Sequence, residues 1–202
     1  MPKKPHTTRT IGPLHFEDLE PHRFEDLVRR MIYDFRQWRQ LEATGRTGSD
    51  EGFDVRGIEA VSALTVVSDA GGEEEGHDEP PDRIWLIQCK REKSIPPKKL
   101  SQYLDDIPMD ETEKLYGIIF AAACDFSKAA RDLFREKCRG RGSAEAYLWG
   151  KGELEDLLYQ PKNDDVLFTF FGISKRIRQR SVGVEVRRKL IVKRKAQRLL
   201  EV

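Results

Sequence analysis

Two runs of strand length, DRIWLIQCKRE (82–92) and KLYGIIFAAAC (114–124), constrain this chain more than any other feature. The second is continuously apolar, the pattern of a strand buried on both faces in the middle of a sheet. A Pro-Pro break and a helical stretch, Lys98–Ile107, separate the two. Downstream, Ser127 is placed to cap a helix running through Cys138, with Ala130, Leu133 and Phe134 inward. AEAYLW then reads as a short strand and GELEDLLY as a short helix closing the unit at about Gln160. Upstream, Phe24, Leu27, Val28, Met31 and Phe35 recur at three- and four-residue spacing, which predicts a helix over Phe16–Phe35. Trp38–Ala43 and Phe53–Ala60 read as strands on either side of the turn TGRTGSDEG. The order is helix, strands, helix, strand, helix, strand, helix. That alternation predicts an α/β sandwich whose central sheet is covered on both faces.

The rest of the chain is polar. Charged residues make up 35% of the 202, hydrophobic ones 38%, too many for a wholly disordered chain. No apolar run approaches the roughly 20 residues that span a bilayer, so no membrane partner is expected. Cys89, Cys124 and Cys138 cannot all pair and show no metal-ligand spacing, which points to a reducing, cytoplasmic setting. The net charge of +1 hides an asymmetry. Residues 172–202 hold eleven Lys/Arg against two Glu, a net of +9, which leaves −8 on the first 171. Residues 1–13 read as a flexible arm and 161–202 as a basic extension. Ser68–Asp82, with seven acids, reads as an exposed acidic insertion between two strands.

Chemistry concentrates in two short pieces, Asp50-Glu51-Gly52-Phe53-Asp54 and Gln88-Cys89-Lys90. Side chains alternate along a strand, so Leu86, Gln88 and Lys90 share one face while Trp85, Ile87 and Cys89 share the other, apolar one. An amide and an ammonium thus stand side by side at a strand end, where Asp54 of the neighbouring strand can meet them. Asp54, the Gln88 amide oxygen and the Cys89 backbone carbonyl are hard oxygen donors, suited to Mg²⁺ or Mn²⁺ rather than zinc. A lysine beside such an ion can hold an attacking water and neutralise a phosphate. These parts together suit metal-assisted hydrolysis of a phosphodiester.

Asp50-x-Gly52-x-Asp54 followed by Gln88-x-Lys90 resembles the catalytic signature of the PD-(D/E)xK nuclease superfamily. The closer likeness is to its Mrr-like branch, in which Gln replaces the second acid. Phe24-Glu25-Asp26-Leu27, GIIFAAACDFSKAARDLF and WGKGELEDLL fit the same branch, so the resemblance covers residues 14–160. It implies a three-layer αβα fold with a central mixed sheet. It also implies Mg²⁺-dependent cleavage of DNA in restriction or anti-phage defence. By residue, it implies that Asp54 binds the metal, Gln88 positions metal and water, Lys90 supports the nucleophile and Glu25 completes the site. Whether Asp50 or Glu51 also reaches the site is open.

Plainer readings compete. Glu25 is equally explained by an ion pair with Arg29 one turn on. Cys89 reads as a small core residue rather than a nucleophile. The four histidines have no ligand spacing. The basic extension can contact phosphates, form an interaction helix or lead to a further domain or defence-system partner. Cutting both strands with one site per chain calls for a homodimer or larger assembly. The alternative to a nuclease is an inactive module of the same fold that binds DNA or protein.

Overall fold

The computed structural model describes residues 12–44, 53–61, 82–107 and 115–175. The chain divides into two compact units, Met1–Glu155 and Asp156–Val202. The arm, the turn residues Asp50 and Glu51, the acidic insertion up to residue 81 and the extension beyond residue 175 lie outside the described residues.

The first unit is built on a five-stranded mixed sheet, in the order β1 (Trp38–Ala43), β2 (Val55–Glu59), β3 (Arg83–Lys90), β4 (Leu115–Ala122), β5 (Glu145–Trp149). β1, β2 and β3 pair antiparallel, while β3, β4 and β5 run parallel. The parallel half follows from connection chemistry: α2 (Pro97–Asp106) and α3 (Lys128–Gly140) are the crossovers that carry the chain back to the start of the next strand. α2 and α3 cover one face. There Leu86, Ile118, Phe120 and Ala122 pack against Leu100, Leu104, Ala130, Phe134 and Cys138. α1 (Pro21–Ile32) covers the other face and buries Phe24, Leu27, Val28, Met31 and Ile32. The expected sandwich, with helices on both sides of a mixed sheet, is the observed one.

The first helix is shorter than the periodicity predicts. A single 3-10 turn, Phe16–Asp18, precedes it, and α1 starts at Pro21. Proline has no N–H to give to a preceding turn but fits the first helical position. The Glu20 side chain then caps the helix by accepting from Arg23 N at 3.1 Å. Phe35 falls beyond the helix end and joins an aromatic group instead, 5.2 Å from Trp149 and 6.2 Å from Trp85. Ser127 caps α3 as predicted, its Oγ accepting from Ala130 N at 3.2 Å.

Trp85 sets the spacing of the central strands. It lies opposite Gly57 on β2 and Gly117 on β4. A Cβ on Gly117 would stand 2.3 Å from the Trp85 ring, and one on Gly57 would stand 2.6 Å from the Trp38 ring. Both rings therefore occupy space that only glycine leaves open.

α4 (Lys151–Leu158) leads from the first unit into the second. In the second unit a 3-10 turn, Pro161–Asn163, runs into α5 (Asp164–Phe171), ended by Gly172 at φ +67°. Asp164 accepts from Ser174 Oγ and Lys175 N, both at 2.7 Å, tying down the chain after α5. No helix among the described residues is long and apolar enough to cross a membrane.

Candidate active site

β3 ends where its neighbours' charged groups gather. Its alternation is as expected: Trp85, Ile87 and Cys89 are buried towards α1, while Leu86 joins the core beneath α2 and α3. Gln88 sits on the Leu86 face opposite Phe120 of β4 and is only 2% exposed. Its Oε1 is buried and has no hydrogen-bond partner among the described residues. An unsatisfied buried acceptor costs about 1–3 kcal/mol, and one persists where a water, ion or ligand supplies the missing contact.

Asp54 stands one residue ahead of the β2 ladder. Its N–H donates to the Ile87 carbonyl at 2.9 Å, although Ile87 is paired with Val55, so the chain bends at this point. The bend brings Asp54 Oδ2 to 2.5 Å from the N–H of Cys89. The carboxylate thereby rests on the peptide that joins Gln88 to Cys89.

Lys90 closes the strand. Among the described residues its ammonium makes no hydrogen bond and no ion pair; its close partner is the Tyr103 ring of α2, with Nζ 5.0 Å from the centroid. Lys90 also borders a cleft of about 260 Å³ with Pro21, Phe24, Glu25, Cys89 and Arg91. Glu25 enters that cleft from α1. Its partner is His22, at 3.2 Å, and Arg29 pairs instead with Asp26 at 2.6 Å. The Glu25–Arg29 pair of the plainer reading is not formed, because at three-residue spacing Asp26 pairs with Arg29.

Cys89 reports the charges around it. Burial, then the negative charges of Asp54 and Glu25, push its thiol well above the ordinary cysteine range, with Lys90 and Arg29 acting the other way. A thiol so held is not a nucleophile at neutral pH, in keeping with its reading as a core residue. The same balance places Asp54, Glu25 and Lys90 within electrostatic reach of one point at the end of β3.

Sequence reasoning overlooked the ring of residues behind Lys90. Glu92 continues the alternation of Gln88 and Lys90; its carboxylate accepts from Tyr103 Oη and from Lys99 Nζ, the latter at 2.5 Å. Burial opposes the charge on Glu92, but the hydrogen bonds from Lys99 and Tyr103 outweigh it and hold the carboxyl below its ordinary range. The period-two spacing of residues 88, 90 and 92 was the available signal. Tyr103 was not recoverable this way, since nothing local ties it to β3.

No group of three or more His, Cys, Asp and Glu side chains is gathered among the described residues. The donor set of interest is of another kind, namely one carboxylate, one amide oxygen and one backbone carbonyl. The orphaned Gln88 Oε1 and the Asp54 carboxylate on the Cys89 N–H are donors of the kind a small hard cation takes.

The Mrr_cat family of restriction endonucleases matches residues 16–157. The chain belongs to this family. The matched stretch of this Mrr_cat protein runs from the 3-10 turn before α1 to α4 and includes every candidate site residue. Among solved structures, the MspJI restriction endonuclease in complex with a 27-mer oligonucleotide aligns at 15% identity and a TM-score of 0.46. The alignment covers 78% of this chain and 33% of that one, so the Mrr_cat protein spans about a third of the length of that neighbour. Among curated proteins nothing matches.

Proposed function

We propose that this restriction endonuclease domain is a Mg²⁺-dependent endodeoxyribonuclease acting in defence against foreign DNA. The observation that carries the reading is the buried, unpartnered oxygen of Gln88 at the peptide that holds the Asp54 carboxylate. Asp54, Gln88 Oε1 and the Cys89 carbonyl would hold Mg²⁺, with Mn²⁺ as a substitute, since all three are hard oxygen donors. When bound, the ion would polarise a phosphate oxygen and lower the pKa of a coordinated water. The remaining work falls to side chains. Lys90, with no acid partner among the described residues, is available to donate to the attacking water and to the phosphate oxygens. Glu25 faces it across the cleft and orients what enters. Arg91 is exposed at the rim, one guanidinium nitrogen anchored on the Glu17 carbonyl at 2.6 Å, and offers its other donors to the DNA backbone.

Double-strand cleavage by this arrangement requires two copies, so a homodimer or larger assembly is part of the proposal. The test is nicking of plasmid DNA with Mg²⁺ and with chelator. Asp54→Ala and Lys90→Ala are expected to lose Mg²⁺-dependent nicking while melting like the wild type. Cleavage by both variants at the wild-type rate would remove these residues from the reaction. DNA retention with no cleavage by the wild type would favour an inactive binding module.

A further inference from the structure

The ammonium expected to meet the scissile phosphate is held by an aromatic face rather than by an acid. Lys90 Nζ lies 5.0 Å from the centre of the Tyr103 ring and, among the described residues, has no carboxylate within ion-pair distance. The ring is itself fixed from three sides. It stacks on Phe120 of β4, with centroids 6.2 Å apart and planes inclined by 29°. Its hydroxyl donates to Glu92, and Lys99, which also donates to Glu92, lies 5.6 Å from the same ring.

The arrangement separates two tasks. A carboxylate beside Lys90 would hold the ammonium but use up its donors. An aromatic face attracts a cation through its quadrupole and accepts none of its N–H bonds in the conventional sense. All three N–H groups then stay available for water and phosphate. Glu92, close enough in sequence to capture Lys90, is instead occupied by Tyr103 and Lys99. Its negative charge also strengthens the electron-rich character of the ring it accepts from.

We propose that Tyr103 is a positioning residue for Lys90: its ring, locked by Phe120, Glu92 and Lys99, holds the ammonium at the strand end with its donors free. This rests on the nuclease reading of the same site. Loss of the ring face is expected to lower kcat for plasmid nicking by about tenfold, the scale of a partly desolvated cation–π contact, with KM for DNA little changed.

The experiment compares wild type, Lys90→Ala, Tyr103→Leu and Tyr103→Phe, together with pentafluorophenylalanine at position 103. Fluorination keeps the ring's shape and packing but removes its negative face. Expected are a fall of only about twofold for Tyr103→Phe, which keeps the ring face but loses its bond to Glu92, and a fall of about tenfold for both Tyr103→Leu and the fluorinated ring. In the same proteins, without metal or DNA, the ε-methylene protons of ¹³C-labelled Lys90 should show a ring-current shift that Phe preserves and Leu abolishes. A wild-type kcat for the fluorinated ring, with Lys90→Ala inactive, would overturn the positioning role and leave the nuclease reading standing. Absence of nicking by the wild type would end the nuclease reading. The magnetic-resonance comparison would then decide alone whether the ring holds the ammonium, and an unchanged Lys90 shift in Tyr103→Leu would overturn it.

Discussion

Gln88 carries a burial cost that the proposed metal role would offset. Its side chain is buried with an acceptor that nothing in the described structure satisfies, in a layer otherwise made of Leu, Ile and Phe. Replacing it with Leu removes that unsatisfied oxygen and is expected to stabilise the metal-free protein by about 1 kcal/mol or more. The same substitution should abolish cleavage. Thermal melting with chelator, paired with a nicking assay, checks both halves; a Gln88→Leu protein that melts lower would show that the amide is satisfied after all. The residues of this site were unevenly legible. Gln88 and Lys90 announce themselves because polar side chains interrupt an apolar strand at period-two spacing. Asp54 is visible only through its neighbour glycine and the family likeness, since its bend ahead of the ladder is a product of pairing with β3. Tyr103 is invisible from sequence, because a tyrosine among charged residues of an amphipathic helix has the same local pattern whether it faces a lysine or water.

Elements hold their places through contacts of very different legibility. The strands and the crossover helices were predictable: continuous apolar runs, a Ser cap and Pro-Pro punctuation are local signals that tertiary packing here reinforces. The split at Pro21 was legible too, and the long periodic stripe masked it. What the local sequence could not reveal is the fit of Trp85 and Trp38 over glycines on neighbouring strands, because that depends on register. Gly117→Ala places a methyl into the Trp85 ring and is expected to cost about 1–3 kcal/mol by overpacking, read as a lowered denaturation midpoint. Gly140→Ala, at the end of α3 where an added Cβ meets nothing within 4 Å, is the control and should be nearly neutral. Ser127→Ala removes the α3 cap and should cost about 1 kcal/mol. A Gly117→Ala variant as stable as the wild type would mean that the sheet yields readily at its centre.

At the scale of the first unit, the two ends of the sheet have opposite characters. One end places Asp54, Glu25 and Lys90 within electrostatic reach of Cys89; the other is stitched shut. Arg36 bonds to Glu145 at 2.5 Å and to Tyr147 Oη at 3.0 Å, approaches Glu59 to 3.7 Å, and lies 4.6 Å from the Phe35 ring centre. Burial opposes the charge on Glu145, but its bonds from Tyr147 and Arg36 outweigh it, so this carboxyl ionises below its ordinary value of 4.5. A carboxylate with a lowered folded-state pKa stabilises the protein above its unfolded-state pKa, and that stabilisation is lost as pH falls through the folded value. Stability should therefore decline below about pH 4.5, and Glu145→Gln should flatten that limb of a pH–melting curve. An unchanged acid limb would assign the loss to other carboxylates. At the opposite end, the proposed nuclease site would have β2 and β3 bring Asp54 and Gln88 to one divalent ion. Calorimetric titration of the intact chain with Mn²⁺ tests it without DNA or catalysis. One site per chain is expected in the wild type and none in Asp54→Asn; equal binding by both proteins would contradict a metal site at Asp54.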